Sequence, residues 1–389
     1  MTRHSPSRRS FLLALSVAIL APPSLAAAPG ENSQGARRLL YVAVPGIRNY
    51  LEYGGHGVLV YDIDGGHKLL KRIPAAGLDA STGKPSNVKG VCASAATGRI
   101  YISTLKTLTC IDLVTEKVLW EKPYDGGCDR MSMTPDGKLM YLPSLEGPHW
   151  HVVDALSGDV IDKIVPNSGA HNTVVGLDGR FAYLAGLKSP ILRVVDTRTQ
   201  KVVKEVGPFG DSVRPFTVNG AQTLAYVNVN ELLGFEVGDV RTGKVLHRVE
   251  VKGFKKGPIK RHGCPSHGVG LTPDEKEVWL CDAHNQSLHV FDNTTSPPTQ
   301  VKTIKLRDEP GWVTFTTDGK YAYPSTGEVI DVKTKQIVTA LSDEKGGPVM
   351  SEKMVQVDVG PDGKPVANGD QFGLGRVATD AAQARSAAR

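Results

Sequence analysis

The 389-residue sequence holds no HExxH, no GxSxG and no glycine-rich phosphate loop. The zinc-protease, serine-hydrolase and nucleotide-cleaving mechanisms that need those spacings are therefore without their motifs. Its five cysteines form no CxxC or CxxCH, so neither a zinc knuckle nor an attached c-type haem is indicated. Charge is sparse as well. Only 22% of residues are charged, and a net charge of +6 is too mild to argue for a nucleic-acid partner. Beyond the first thirty residues no apolar run is long enough to span a bilayer.

What is abundant is turn chemistry. With 42 glycines and 25 prolines, the composition suits a β protein rich in turns. A single core of this length needs a special architecture such as a barrel or a repeat. The N-terminus reads as an export signal of twin-arginine type over residues 1–26. It comprises Ser7-Arg8-Arg9-Ser10-Phe11-Leu12, the apolar run Phe11 to Ala21, and the small-residue cleavage site Ser24-Leu25-Ala26. Removing Arg3, Arg8 and Arg9 with it would leave about +3. The mature chain is expected to be periplasmic or secreted, with no membrane span, and monomeric. Residues 27–37 read as a linker.

One unit recurs from there on. Its turn appears as Thr134-Pro135-Asp136-Gly137, Leu177-Asp178-Gly179, Thr272-Pro273-Asp274, Thr317-Asp318-Gly319 and Gly360-Pro361-Asp362-Gly363. In it Pro pre-sets φ, Asp bonds its own backbone and Gly takes the positive φ. A second turn recurs as Asp112/Thr115, Asp154/Ser157, Asp196/Thr199, Asp239/Thr242 and Asp331/Thr334. Aromatics follow the first turn at Tyr101, Tyr141, Tyr183, Tyr226, Trp279 and Tyr323. Twelve residues before each stand Lys89, Asp129, His171, Arg214, His267 and Gly311, spaced by 40, 42, 43, 53 and 44. Four strands per unit at this period indicate the blades of a β-propeller. Residues 38–365 make seven such blades if Met354 to Val359 supplies the innermost strand that the first blade lacks. The C-terminus would then close the ring and leave no open edge. Residues 366–389 show no core pattern and are expected to be disordered.

The stretch "SHGVGLTPDEKEVWLCDAHNQSLHVFD" (residues 266–292) resembles the unit of bacterial YVTN-type (YncE-like) seven-bladed propellers, in which a His-Gly often opens the inner strand. The resemblance implies the fold and leaves function open, because propellers of this group include binding proteins, lactonases and electron-transfer subunits. It also implies a structural role for His267, bonding the backbone of a neighbouring blade.

The regular repeat carries residues distant in sequence to one face, around the mouth of the central channel. Lys89, Asp129, Arg130, Arg214 and Trp312, near the inner-strand starts, are the candidate ligand-binding residues. Arg214 beside Lys89 suits a carboxylate or phosphate. The candidate metal ligands are His171, His267, His284 and His149, for a divalent or copper ion, since imidazole suits such ions. Cys264 and Cys281 fall where a disulfide could form, and Cys128 falls at the rim. Two functions fit. One is an exported binding protein for a small anionic molecule or an extracytoplasmic protein partner. The other is a metal-dependent lyase or oxidoreductase with its metal held by the same histidines.

Overall fold

The computed structural model describes residues 1–2 and 35–377. The chain divides into a unit of residues 1–31 and a unit of residues 32–389, and the fold described here is that of the second. The expected export signal falls almost wholly outside the described residues, as does most of the linker.

Seven antiparallel sheets make up the described chain, six of four strands and one of five. Among the described residues the helical content is one short 3₁₀ turn, Leu51–Tyr53. The architecture is a seven-bladed β-propeller, as the repeat implies. Six blades run outward from the inner strand in chain order, for example Val88–Ser94, Arg99–Thr104, Thr107–Asp112 and Val118–Pro123. The outermost strands alternate and stay wet, while the middle strands are buried on both faces. That is why the middle strands read as continuous apolar runs.

The recurring turns hold the blades in register. Asp112 Oδ1 accepts hydrogen bonds from the N–H groups of Val114 and Thr115 and from the Thr115 hydroxyl. Asp154, Asp196, Asp239 and Asp331 repeat the device on the residue three positions on. Gly137, Gly179, Gly319 and Gly363 all take φ near +70° to +79°, the left-handed conformation each turn requires. The aromatics at constant phase are buried and tie blade to blade. The Tyr101 hydroxyl donates to Ala155 O at 2.9 Å and the Tyr141 hydroxyl to Gln200 at 2.7 Å. Tyr323 Oη meets His67 Nε2 across the closing seam at 2.8 Å.

Closure follows the expected pairing. Met354–Val359 lies antiparallel to Arg37–Val44, with Tyr41 opposite Val355 and Leu39 opposite Val357. The C-terminal segment departs from expectation. It does not end its structure at 365. Pro365–Asn368 adds a fifth strand on the channel side of Met354–Val359. Beyond it, Gln371, Phe372 and Leu374 are buried. Thr217 Oγ1 and the Leu271 N–H both donate to Gly373 O at 2.8 Å, and the Gly375 N–H donates to Val218 O at 3.1 Å. The segment thus crosses the channel, bonded to several inner strands. Its alanine- and glycine-rich composition concealed two apolar residues that only the channel wall can cover.

Candidate functional site

The inner strands begin on one face, and their first residues surround a cavity of about 170 Å³. Lys89, Arg130, His171, Arg214 and His267 all line it, as the repeat phase demands. Trp312 lies beneath them. Its ring sits 4.8 Å under the Arg130 guanidinium, its centroid 6.1 Å from that of Phe372, and its indole N–H donates to Gln371 O. Trp312 and the C-terminal segment thus form a second layer under Arg130, and Trp312, expected among the ligand-binding residues, is not part of the cavity lining.

Asp129 stands behind the pocket wall and is fully buried. Its Oδ2 lies 2.7 Å from His171 Nδ1 and its Oδ1 lies 3.6 Å from Lys89 Nζ. Burial alone would raise this carboxyl, but Lys89, His171 and Arg130 outweigh it and hold it far below the usual carboxylate range. An ionised Asp129 fixes the proton of His171 on Nδ1. His171 Nε2 then faces Arg130 Nη1 at 3.3 Å. Burial, partly offset by Asp129, lowers the His171 pKa, so the imidazole is neutral at pH 7.

His267 Nδ1 meets Gly311 O of the next blade at 2.9 Å, the backbone contact expected of a repeat histidine. That bond directs its proton to Nδ1. Burial drives the His267 pKa well below its ordinary value. Its ring neighbours are His262, at 5.2 Å between centroids, and His171, at 6.3 Å.

The sequence-based set missed three residues of this site. His262 Nδ1 lies 3.2 Å from Glu352 Oε1. Glu352 Oε2 accepts from Lys353 Nζ at 2.7 Å and from Arg130 Nη2. Despite burial, Lys353, Arg130 and His262 together hold the Glu352 carboxyl well below its usual range. Burial brings Lys353 down to about 7, against the pull of Glu352. Glu352 and Lys353 immediately precede the closing strand Met354–Val359. Tyr41 pairs with Val355, so Glu352 holds the register that Lys89 and His267 hold in their blades, but the chain break in this blade removes the twelve-residue spacing that marks it elsewhere. His262 follows a lysine-rich insertion with no strand pattern, and its only signal is the close pair of histidines in "HGCPSHG".

Two expected residues are elsewhere. His284 is exposed, with Nδ1 3.1 Å from Pro258 O in that insertion. His149 turns away from the channel and stacks edge-on against His151, the two Nε2 atoms 3.1 Å apart. Both lie in loops between the second and third strands, where no pleat dictates side-chain direction. The cysteines differ from expectation too. Cys264 and Cys281 are separate buried thiols, and Cys264 Sγ donates to Ser266 O at 3.3 Å. Burial pushes the Cys264 thiol up to about 12, so it is inert at neutral pH. Cys128 lies in the core between two blades with Tyr101 and Met131, away from the rim.

The polar lining is unevenly charged. Arg48, Lys89, Arg130, Arg214, Arg261 and Lys353 face the cavity against only Glu146 and Glu352. Arg130 Nε and Arg261 Nη1 are buried with no hydrogen-bond partner. Such orphaned donors cost free energy unless a ligand or water meets them.

No family model matches the chain, and no curated protein matches it. Among solved structures, a chain of the mitotic checkpoint complex aligns over 80% of this chain and 95% of its own, at 13% identity and a TM-score of 0.58. Hydrazine synthase of Kuenenia stuttgartiensis aligns over 68% of this chain and 99% of its own, at 14% identity and a TM-score of 0.44. The first likeness is one of fold alone, and it agrees with the propeller read from the sheets.

Proposed function

We propose that this protein is a binding propeller whose channel mouth takes a small carboxylate-bearing molecule. The observation that carries the reading is the lining of the cavity, five arginine and lysine side chains besides Lys353, which burial brings to about 7, against two carboxylates. Lys89 and Arg130 already face Asp129, Arg130 and Lys353 share Glu352, and Arg261 pairs with Asp308, so Arg48 and Arg214 are the cations best placed to meet an incoming anion. A volume of about 170 Å³ suits a ligand the size of a single sugar acid or a small dicarboxylate. Arg214 is a main contributor: Nε is held by Asn230 and Nη2 by Gly263 O at 3.0 Å, which leaves Nη1 for the ligand. The blade unit and the His267-Gly268 inner-strand start support placing the chain with the YVTN-type bacterial propellers. The N-terminal twin-arginine pattern supports export, which makes the periplasm or the exterior the place of work.

Paired ligands test the binding reading. Titration calorimetry with glucuronate and glucose isolates the carboxylate, and citrate, succinate and phosphate extend the series. A carboxylate should bind where glucose does not. Arg214→Gln should weaken it about tenfold to a hundredfold, the worth of a hydrogen bond to a charged group. Melting should change little, because Arg214 is partly exposed. Equal binding of glucose and glucuronate, or indifference to Arg214→Gln, would overturn the proposal. Fractionation of cells expressing the full sequence tests export: the chain should leave the cytoplasm, and Arg8→Lys with Arg9→Lys should retain it.

A further inference from the structure

We infer that His262, His267 and Glu352 form a site for a first-row divalent metal ion, zinc or ferrous iron, at the base of the channel mouth. One donor atom from each of the three lies within 4.8 Å of the others. Bonds of about 2.0–2.1 Å to a tetrahedral ion place donors roughly 3.3 Å apart, which small side-chain rotations reach. Two imidazoles and one carboxylate are a donor set that zinc and ferrous iron both accept with positions left open.

Three further features favour a ligand here. His267 is set in the tautomer a ligand needs, since its Nδ1 proton is committed to Gly311 O at 2.9 Å. His262 Nε2 is buried without any hydrogen-bond partner, on a residue 8% exposed. An orphaned imidazole nitrogen of this kind is costly unless something binds it. Glu352 has its outer oxygen fixed by Lys353 and Arg130, as ligating carboxylates commonly are. The backbone makes room for the cluster: a methyl group at Gly311 would overlap His262 Cε1 and crowd Glu352 Oε1. The nearby cations oppose a dication. They are in turn what a metal-bound anion would meet, so the open positions and the arginines face the same space.

The test uses untagged protein, stripped with chelator and titrated with Zn²⁺, then with Co²⁺ as a coloured substitute, in the absence of any organic anion. One equivalent per chain should bind with micromolar or tighter Kd, and the cobalt form should show the intense visible bands of four- or five-coordination. His262→Gln and His267→Gln should each weaken binding at least tenfold, and Gly311→Ala should do so without removing a ligand. His284→Gln and His149→Gln should leave it unchanged. Wild-type protein that binds neither ion below 100 µM (roughly the zone of adventitious binding) would overturn the site, as would equal losses from the two control variants. Should a variant fail to fold, wild-type stoichiometry and the cobalt spectrum still decide. Because anion titration of the stripped protein stands separately, failure of the metal site and failure of the carboxylate reading give different results.

Discussion

Two buried side chains show how single residues set the behaviour of this ring. Asp129 is a fully buried anion facing Lys89, Arg130 and His171. Asp129→Asn leaves those donors without their charge and should cost about 3–5 kcal/mol, the usual penalty for breaking a buried pair. A cycle with His171→Gln, followed by urea unfolding, should give a double variant less damaged than the sum of the two singles. Additive losses would mean that the two side chains are not coupled. His67 is a different case. It packs edge-on against Tyr321 and Tyr323. Burial lowers its pKa to about 4, with Arg38 and Lys320 adding to the effect and Asp64 and Asp62 opposing it. The unfolded chain takes up a proton near pH 6.5, whereas the folded chain resists until about pH 4. Stability should therefore fall as pH drops through that window, by on the order of 2 kcal/mol at pH 5. His67→Asn suits the left-handed backbone there, φ 62°, and should flatten the dependence. Urea midpoints at pH 7 and pH 5 measure this directly. The same pH slope in both proteins would remove His67 as its source.

At the scale of strands and segments, what the sequence made legible is what periodicity dictates. Inner-strand starts recur at fixed phase and their pleat fixes direction, so the repeat alone puts Lys89, Arg130, His171, Arg214 and His267 on one cavity wall. Loops impose no such constraint, and His284 and His149 turn elsewhere for that reason. The C-terminal segment was the least legible element. Phe372 and Leu374 have no periodic partners in sequence, because their partners are Trp312 on one blade and Phe216 and Val218 on another. Phe372→Ala should cost about 3–5 kcal/mol, as a buried aromatic truncation does. It should also uncover the Trp312 ring, which Phe372 packs against. Acrylamide quenching should then rise for the one tryptophan at the channel, with Trp120→Phe, Trp150→Phe and Trp279→Phe as the background. An unchanged quenching constant would show that the segment does not shield Trp312.

For the whole molecule, closing the ring and completing the site are one event. The segment that pairs with Arg37–Val44 also delivers Glu352 and Lys353 to the cavity. Gly46 and Ser351 form a bridge at that junction, and Lys353 Nζ donates to Gly46 O at 2.8 Å. A chain ending at Gly347 loses the inner strand of one blade and exposes strand edges on both sides of the gap. It should lose its cooperative melt and, with it, carboxylate binding. Supplying residues 350–377 as a peptide should restore both together, since the peptide carries the missing strand and the Glu352–Lys353 pair. Gly46→Val makes the argument without truncation. A side chain there would collide with Ser351 Oγ and with Ala43 O at 2.8 Å, so the closing segment must shift. No cavity side chain is removed by that change, yet carboxylate affinity should fall together with the melting temperature. A Gly46→Val protein that melts earlier but binds glucuronate as wild type does would separate closure from the site. The pocket would then belong to the other six blades alone.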